Sequence, residues 1–177
     1  MRAPLRLTGA LLAAAVITGC AAPSQPGAMI AAPAGEIHHS RESVSVQVSG
    51  GKETSSVRTS QISDKDFAQA LRESIEKAGL FAQTAEAPRG TYRLEAYIGE
   101  LTQPFIGFDM TVTMEVTYTL TDTRSQQVVL KKPISATHTA TTGDSVIGVK
   151  RLQLANEAAA RKNIEQAITE MSKLELD

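Results

Sequence analysis

The sequence predicts an α+β protein, a two-layer sandwich in which two helices cover one face of a four-stranded, mostly antiparallel sheet. Residues 108–121 alternate between apolar and polar side chains without interruption, the pattern of a long strand with one buried face. Two segments, near residues 64–78 and from about Val149 onward, carry apolar residues at helical spacing. The element order is β-α-β-β-β-α, which favours helices gathered on one face.

The alternating segment is the centre of the predicted sheet. At about 3.3 Å per residue it would extend roughly 40 Å. Strands in parallel sheets are buried on both faces and do not alternate so cleanly, so this one is expected to have antiparallel neighbours. Its inward side chains are Phe108, Met110, Val112, Met114, Val116, Tyr118 and Leu120.

The first strand is predicted over residues 44–48, where valines alternate with polar residues, and it ends at Gly50 and Gly51. The polar segment 52–61 predicts a loop, with a short edge strand over residues 54–59 as the alternative.

The first helix carries recognisable end signals. Ser63 and Asp66 form a variant of the capping box, and Gly79 is the expected C-terminal stop. Leu80 and Phe81 are expected to pack under the helix end.

The second half of the chain predicts two more strands around the central one. Residues 82–89 indicate a loop, and residues 92–98 alternate as a strand. Residues 122–125 are a tight polar connection into a last strand that begins at Gln126. Pro133 lacks a backbone donor, which favours an edge position for this strand or a bulge at that residue.

The first 19 residues are predicted to be an export signal. Arg2 and Arg6 supply its positive end, and the apolar run that follows is too short for a permanent membrane span. The run Ile17-Thr18-Gly19-Cys20 resembles the bacterial lipobox, in which the cysteine is lipidated and the chain is cut before it. Cys20 is the only cysteine, which excludes an internal disulfide. The alternative is an ordinary leader with a chance cysteine.

Residues 20–41 predict a lipidated cysteine followed by a flexible tether, because the segment is rich in Ala, Pro, Gly and Ser. Residues 42–177 predict a single periplasmic domain with its own core. His38 and His39 lack further ligands at suitable spacing, so we expect an exposed pair and no metal site.

Composition and motifs argue against catalysis, cofactors and nucleic-acid binding. The formal net charge is −1, without a basic cluster. His138 shares the parity of the apolar residues in the last strand, so it is expected to pack at the edge of the core. No glycine-rich phosphate loop or acidic cluster is present in the sequence. We therefore expect a protein that is not an enzyme.

Two connections at one end of the predicted sheet contain apolar residues in segments that should face water. They carry Phe105, Ile106, Val146 and Ile147. In one interpretation these side chains fold over the helix ends and close the core; in the other they form a partner-binding patch. The tether enters the first strand from the opposite end, so the patch is expected to face away from the anchoring membrane.

Four features of the sequence form a combined pattern. They are the lipobox-like run ending at Cys20, the helix end at residues 78–81, the hairpin at residues 118–129 and the last helix at residues 157–168. This pattern resembles small envelope lipoproteins of Gram-negative bacteria, namely the YajG-like group, the auxiliary lipoproteins of ABC-type lipid transport and the LptE-like proteins. The Cys-Gly-Phe opening of an LptE-like protein is absent, because Ala21 follows the cysteine. The same alanine resembles the pattern sorted to the outer membrane.

The resemblance implies a non-catalytic, lipid-anchored lipoprotein at the periplasmic face of the outer membrane. It would act as an accessory or scaffold that binds an envelope protein. The alternative is a carrier or sensor that binds a lipid or cell-wall fragment between sheet and helices. An unfilled apolar cavity under the helices would favour the carrier, whereas a packed core with apolar loop tips would favour the accessory protein.

Overall fold

A computed structural model describes residues 21–32, 35–54, 60–85, 87–104 and 106–176. It confirms the predicted α+β class, with the helices packed on one face of a sheet. The helices are α1 (Pro26–Met29), α2 (Asp64–Ala78) and α3 (Gly148–Met171); the strands are β1 (Ser40–Ser49), β2 (Phe81–Ala85), β3 (Tyr92–Thr102), β4 (Met110–Asp122) and β5 (Gln127–Ala140). Of the predicted loop at residues 52–61, the described residues 52–54 and 60–61 are not in a strand.

The sheet has five strands in the order β2-β1-β3-β4-β5. β1 lies parallel to both β2 and β3, whereas β4 lies antiparallel to β3 and β5. The predicted four-stranded, mostly antiparallel sheet therefore differs in detail: the sheet has a fifth strand and is mixed, whereas the antiparallel neighbours predicted for β4 are confirmed. Residues 81–85, predicted as helix-end packing and loop, form the edge strand β2. This strand is too short and too exposed to show alternation.

β4 is the predicted central strand, and its apolar side chains from Met110 to Leu120 are buried as expected. It begins two residues later than predicted. Phe108 is 85% exposed and lies in the preceding loop, so it is not a core residue. Pro133 lies on the edge strand β5, as predicted.

Helix α2 has the predicted ends. The Ser63 hydroxyl oxygen accepts a hydrogen bond from the backbone N–H of Asp66 at 3.1 Å and donates to the Asp66 carboxylate at 2.8 Å. Gly79 ends the helix at a φ of 63°, in the left-handed region that glycine adopts without strain. Leu80 and Phe81 are buried beneath it.

Helix α3 packs on β4 and β5 through a face of small residues and one buried asparagine. Asn163 Nδ2 donates to the backbone oxygens of Met114 (3.1 Å) and Ile134 (2.8 Å), and its Oδ1 accepts from the Tyr118 hydroxyl at 2.8 Å. Burial raises the pKa of Tyr118 well above its usual value, so the phenol remains a donor. One side chain thus bonds α3 to two strands.

Residues 21–32, here called the strap, are not the free tether that their composition predicted. The strap runs over the helical layer and contains α1, which contacts α2 and α3. Met29 and Ala31 are fully buried, and the Ala31 N–H donates to Ser74 Oγ at 2.9 Å. The tether prediction failed because apolar side chains of the strap fill the gap between two helices. β1 also begins at Ser40, inside the predicted tether.

Cys20 and the predicted leader over residues 1–19 lie outside the described residues. Within the described ranges, none of the helices is both long and apolar enough to cross a membrane.

Candidate functional site

The two apolar connections lie at the same end of the sheet, as predicted. They are residues 103–109, between β3 and β4, and residues 141–147, between β5 and α3. Ile106 is 93%, Val146 88% and Ile147 55% exposed. These three side chains therefore do not close the core. Phe105, the fourth predicted residue of the patch, lies outside the described residues.

Phe108 adds to this surface, because it extends from the first loop instead of starting the strand. We call Ile106, Phe108, Val146 and Ile147 the apolar tip. Elsewhere in the described part of the chain, large exposed apolar side chains are few; they are Tyr97, Val128, Val129 and Val149, the last beside the tip at the start of α3. Exposed apolar surface is thus concentrated at one end of the domain.

Arg151 joins the two loops of the tip. Its side chain is buried, and Nη1 donates to the Ser145 oxygen at 2.8 Å while Nη2 donates to the Gly107 oxygen at 3.3 Å. Sequence reasoning missed this residue, because an arginine near the start of a helix has no pattern that distinguishes it from a solvated one.

The second loop is also held by bonds within itself. Asp144 Oδ2 accepts from the backbone N–H of Thr141 at 2.7 Å and from its hydroxyl at 3.0 Å, and these bonds lower the pKa of Asp144. Ser145 Oγ accepts from the Ile147 N–H at 3.2 Å. Val146 is therefore held outward by an ordered turn.

The first loop is fixed at its base by Gln103. Its Nε2 donates to the Ser60 oxygen at 2.8 Å and to Asn156 Oδ1 at 2.7 Å, and its Oε1 accepts from Gln61 Nε2 at 3.0 Å. This side chain connects the loop to the segment before α2 and to α3.

A groove of about 850 Å³ opens beside the tip. Leu101, Met110 and Leu152 supply apolar lining, and Arg151 and Ser60 also line it. Both the Nε of Arg151 and the hydroxyl of Ser60 are buried, and neither has a hydrogen-bond partner among the described residues. The groove therefore has an apolar wall, and two of its lining residues each carry one buried polar atom.

The strap begins at this same end. The Pro23 oxygen accepts from Gln153 Nε2 at 3.1 Å, and the Ser24 N–H donates to the Gln61 oxygen at 3.4 Å. β1 does start at the opposite end, but the strap runs back along the helices to the tip. The predicted entry into β1 from the opposite end is confirmed, but the chain before β1 reaches the tip, so this entry point does not separate the start of the described chain from the apolar loops.

A buried carboxylate holds the start of the strap. Glu157 Oε1 accepts from the backbone N–H of Gln25 at 2.9 Å and from Gln153 Nε2 at 2.8 Å. One turn further on, Arg161 donates to the Ala28 oxygen at 3.0 Å. Both side chains therefore bind the strap backbone.

The histidines do not converge on a site. His39 Nδ1 lies 2.6 Å from the Gly79 oxygen. His138 is half-buried, and burial together with the charges of Lys162 and Arg161 lowers its pKa. Among the described residues, no group of three or more His, Cys, Asp or Glu side chains could hold a metal ion.

No family model and no curated protein matches the chain. Among solved structures, a DUF330-family protein of Xanthomonas campestris matches with a TM-score of 0.66 at 13% identity, over 86% of this chain and 95% of that one. A single-residue variant of PelC from Paraburkholderia phytofirmans, a dodecamer, matches with a TM-score of 0.51 at 17% identity, over 80% and 93%. A minor lipoprotein of Acinetobacter baumannii gives a TM-score of 0.48 at 11% identity, over 76% and 93%. The first two scores show a shared fold.

Proposed function

We propose that this protein is a lipid-anchored, non-enzymatic lipoprotein at the periplasmic face of the outer membrane, where it serves as an accessory protein for an envelope partner. The lipobox-like run at residues 17–20 supports Cys20 as the anchor, and Ala21 supports outer-membrane sorting. The strap is the observation that carries the proposal. Because the chain just after Cys20 is bonded to α3, a lipid there would hold the folded domain close to the membrane.

We expect Cys20→Ser to release the protein from the membrane as a soluble or uncleaved precursor, because the substitution removes the thiol that carries the lipid. Cell fractionation measures the location, and mass spectrometry of the wild-type mature N-terminus measures the modification. An unmodified cysteine on the wild-type protein would refute the anchor.

An accessory role also needs a surface that a partner can contact. The sheet face opposite the helices is uncovered in the described part of the chain, and polar side chains line it. Along β4, Thr111 and Thr113 bond to Thr139 and Thr137 of β5, at 2.8 and 2.9 Å between hydroxyl oxygens. Glu115 follows on the same row and is exposed. This face is our candidate surface for the protein partner.

A photoreactive amino acid at Glu115 is expected to capture an envelope protein in intact cells, since that position lies on the open face. The same probe at Lys77, exposed on α2, is the matched control on the helical side. Capture from Lys77 alone, or from neither position, would contradict this choice of surface.

The groove supports a second candidate, a carrier that binds an anionic lipid or cell-wall fragment. Arg151 and Ser60 would meet the anionic group, and Leu101, Met110 and Leu152 would contact its apolar part. The groove lies at the tip and not under the helices, where the core is continuous. An anionic lipid that copurifies with the protein, identified by native mass spectrometry, would favour this carrier function.

A further inference from the structure

We propose that the apolar tip is a membrane-docking surface, whose side chains enter the acyl region of the leaflet that holds the lipid on Cys20. The inference rests on the proposed lipid anchor. It adds a second contact with the bilayer, made by the protein itself, and so defines which end of the domain faces the membrane.

Chain length places the anchor at the tip end. Ser24 is bonded to Gln61, and Gln61 is bonded to Gln103 at the base of the first tip loop. The peptide units between Ser24 and Cys20 span at most about 14 Å. The sheet is much longer, since β4 alone extends roughly 40 Å. A membrane that holds Cys20 therefore lies at the tip end of the domain.

The tip has the chemistry of a lipid-inserting surface. Its side chains are aliphatic or aromatic, occupy neighbouring loops and are mostly free of protein cover. Transfer of such side chains from water to the acyl boundary is favourable. The loops are already held together by Arg151, so docking does not require them to become ordered first.

The charges beside the tip argue for insertion instead of electrostatic attraction. Lys52 and Glu53 line the groove beside the tip, and the tip connections and the start of α3 carry Asp109, Asp144 and Lys150, so the described part of this end mixes both signs of charge. A surface that depends on basic residues would bind anionic lipids in a salt-sensitive way. Docking through the tip should therefore persist at high salt.

The same geometry disfavours a partner in the periplasm as the occupant of the tip. Such a partner would meet the tip only if the domain turned away from its anchor. The strap opposes that movement, because Pro23 is bonded to Gln153 and Gln25 is bonded to Glu157. A bilayer is the occupant that needs no such movement.

The test uses the lipidated protein in vesicles of phosphatidylethanolamine and phosphatidylglycerol. Lipidation consumes the thiol of Cys20, the only native cysteine, so an introduced cysteine is the single labelling site. A polarity-sensitive fluorophore is attached at Val146→Cys in the tip or at Val128→Cys near the other end of the sheet. Val128 is 55% exposed and serves as the matched apolar control.

We expect the label at position 146 to shift its emission to the blue and to lose fluorescence when nitroxide-labelled lipids are present, at low and at high salt. The label at position 128 should show neither change. Ile147→Asp should abolish quenching at position 146, whereas Val128→Asp should not, and both variants should keep the wild-type melting temperature.

Quenching at neither position, or equal quenching at both, would overturn the proposal. The label at position 146 could instead be shielded from water in cell envelopes and yet not be quenched by nitroxide-labelled lipids. That result would show that the tip binds a protein partner. Two labels per chain would show that Cys20 is not lipidated, which is a failure of the proposed anchor. In that case the label at Val146→Cys is measured in a Cys20→Ser variant, where position 146 is again the single labelling site. Quenching by nitroxide-labelled lipids then tests insertion of the tip without the anchor.

Discussion

Met114→Asp is expected to destabilise the domain by about 3–5 kcal/mol, because it places a carboxylate in the centre of the core. Met114 is fully buried on β4, opposite Leu101 of β3 and Ala136 of β5. Thermal and urea unfolding of the purified protein would measure the loss.

The neighbouring residue provides the control. Thr113 points to the open face and shares a hydrogen bond with Thr137, so Thr113→Asp should cost no more than about 1 kcal/mol. Equal losses for the two variants would contradict the register of β4, since a shift of one residue exchanges the buried and exposed faces.

Asn163→Ala is expected to cost on the order of 3 kcal/mol, because it leaves the Tyr118 hydroxyl and the backbone oxygens of Met114 and Ile134 without their partner. All of these groups are buried, so water cannot easily replace the amide. Urea unfolding at neutral pH would give the difference in free energy.

Tyr118→Phe separates the parts of this network. The variant removes one hydroxyl and leaves both bonds from Asn163 Nδ2 in place, so a smaller loss of about 1–2 kcal/mol is expected. Losses of equal size in Asn163→Ala and Tyr118→Phe would show that the bonds to the strand oxygens do not contribute.

The elements that could be predicted from the sequence are those with a local pattern. The alternation of β4 needs only one buried face, and α2 carries its own cap at Ser63 and stop at Gly79. The exposed residues Ile106, Val146 and Ile147 could be found because apolar residues in turns are unusual. Each of these signals is contained within a few neighbouring residues.

The remaining features depend on distant parts of the chain. β2 is recognisable only beside β1, and the strap is ordered only because α2 and α3 leave a gap that Met29 fills. The sequence of the strap resembles a linker, since its polar partners lie far along the chain. Phe108 continued the alternation of β4 and was therefore assigned to the core, although the strand begins after it.

The strap also determines how the protein would respond to mechanical load. If Cys20 carries the proposed lipid, tension between that anchor and the domain acts on the side-chain bonds that Gln153, Glu157 and Arg161 make to the strap before it acts on the β1–β3 ladder. Detaching the roughly twelve residues of the strap would lengthen the connection between anchor and domain by roughly 40 Å, at about 3.3–3.6 Å per residue. The protein would thus have a short reach from the bilayer at rest and a much longer one under tension.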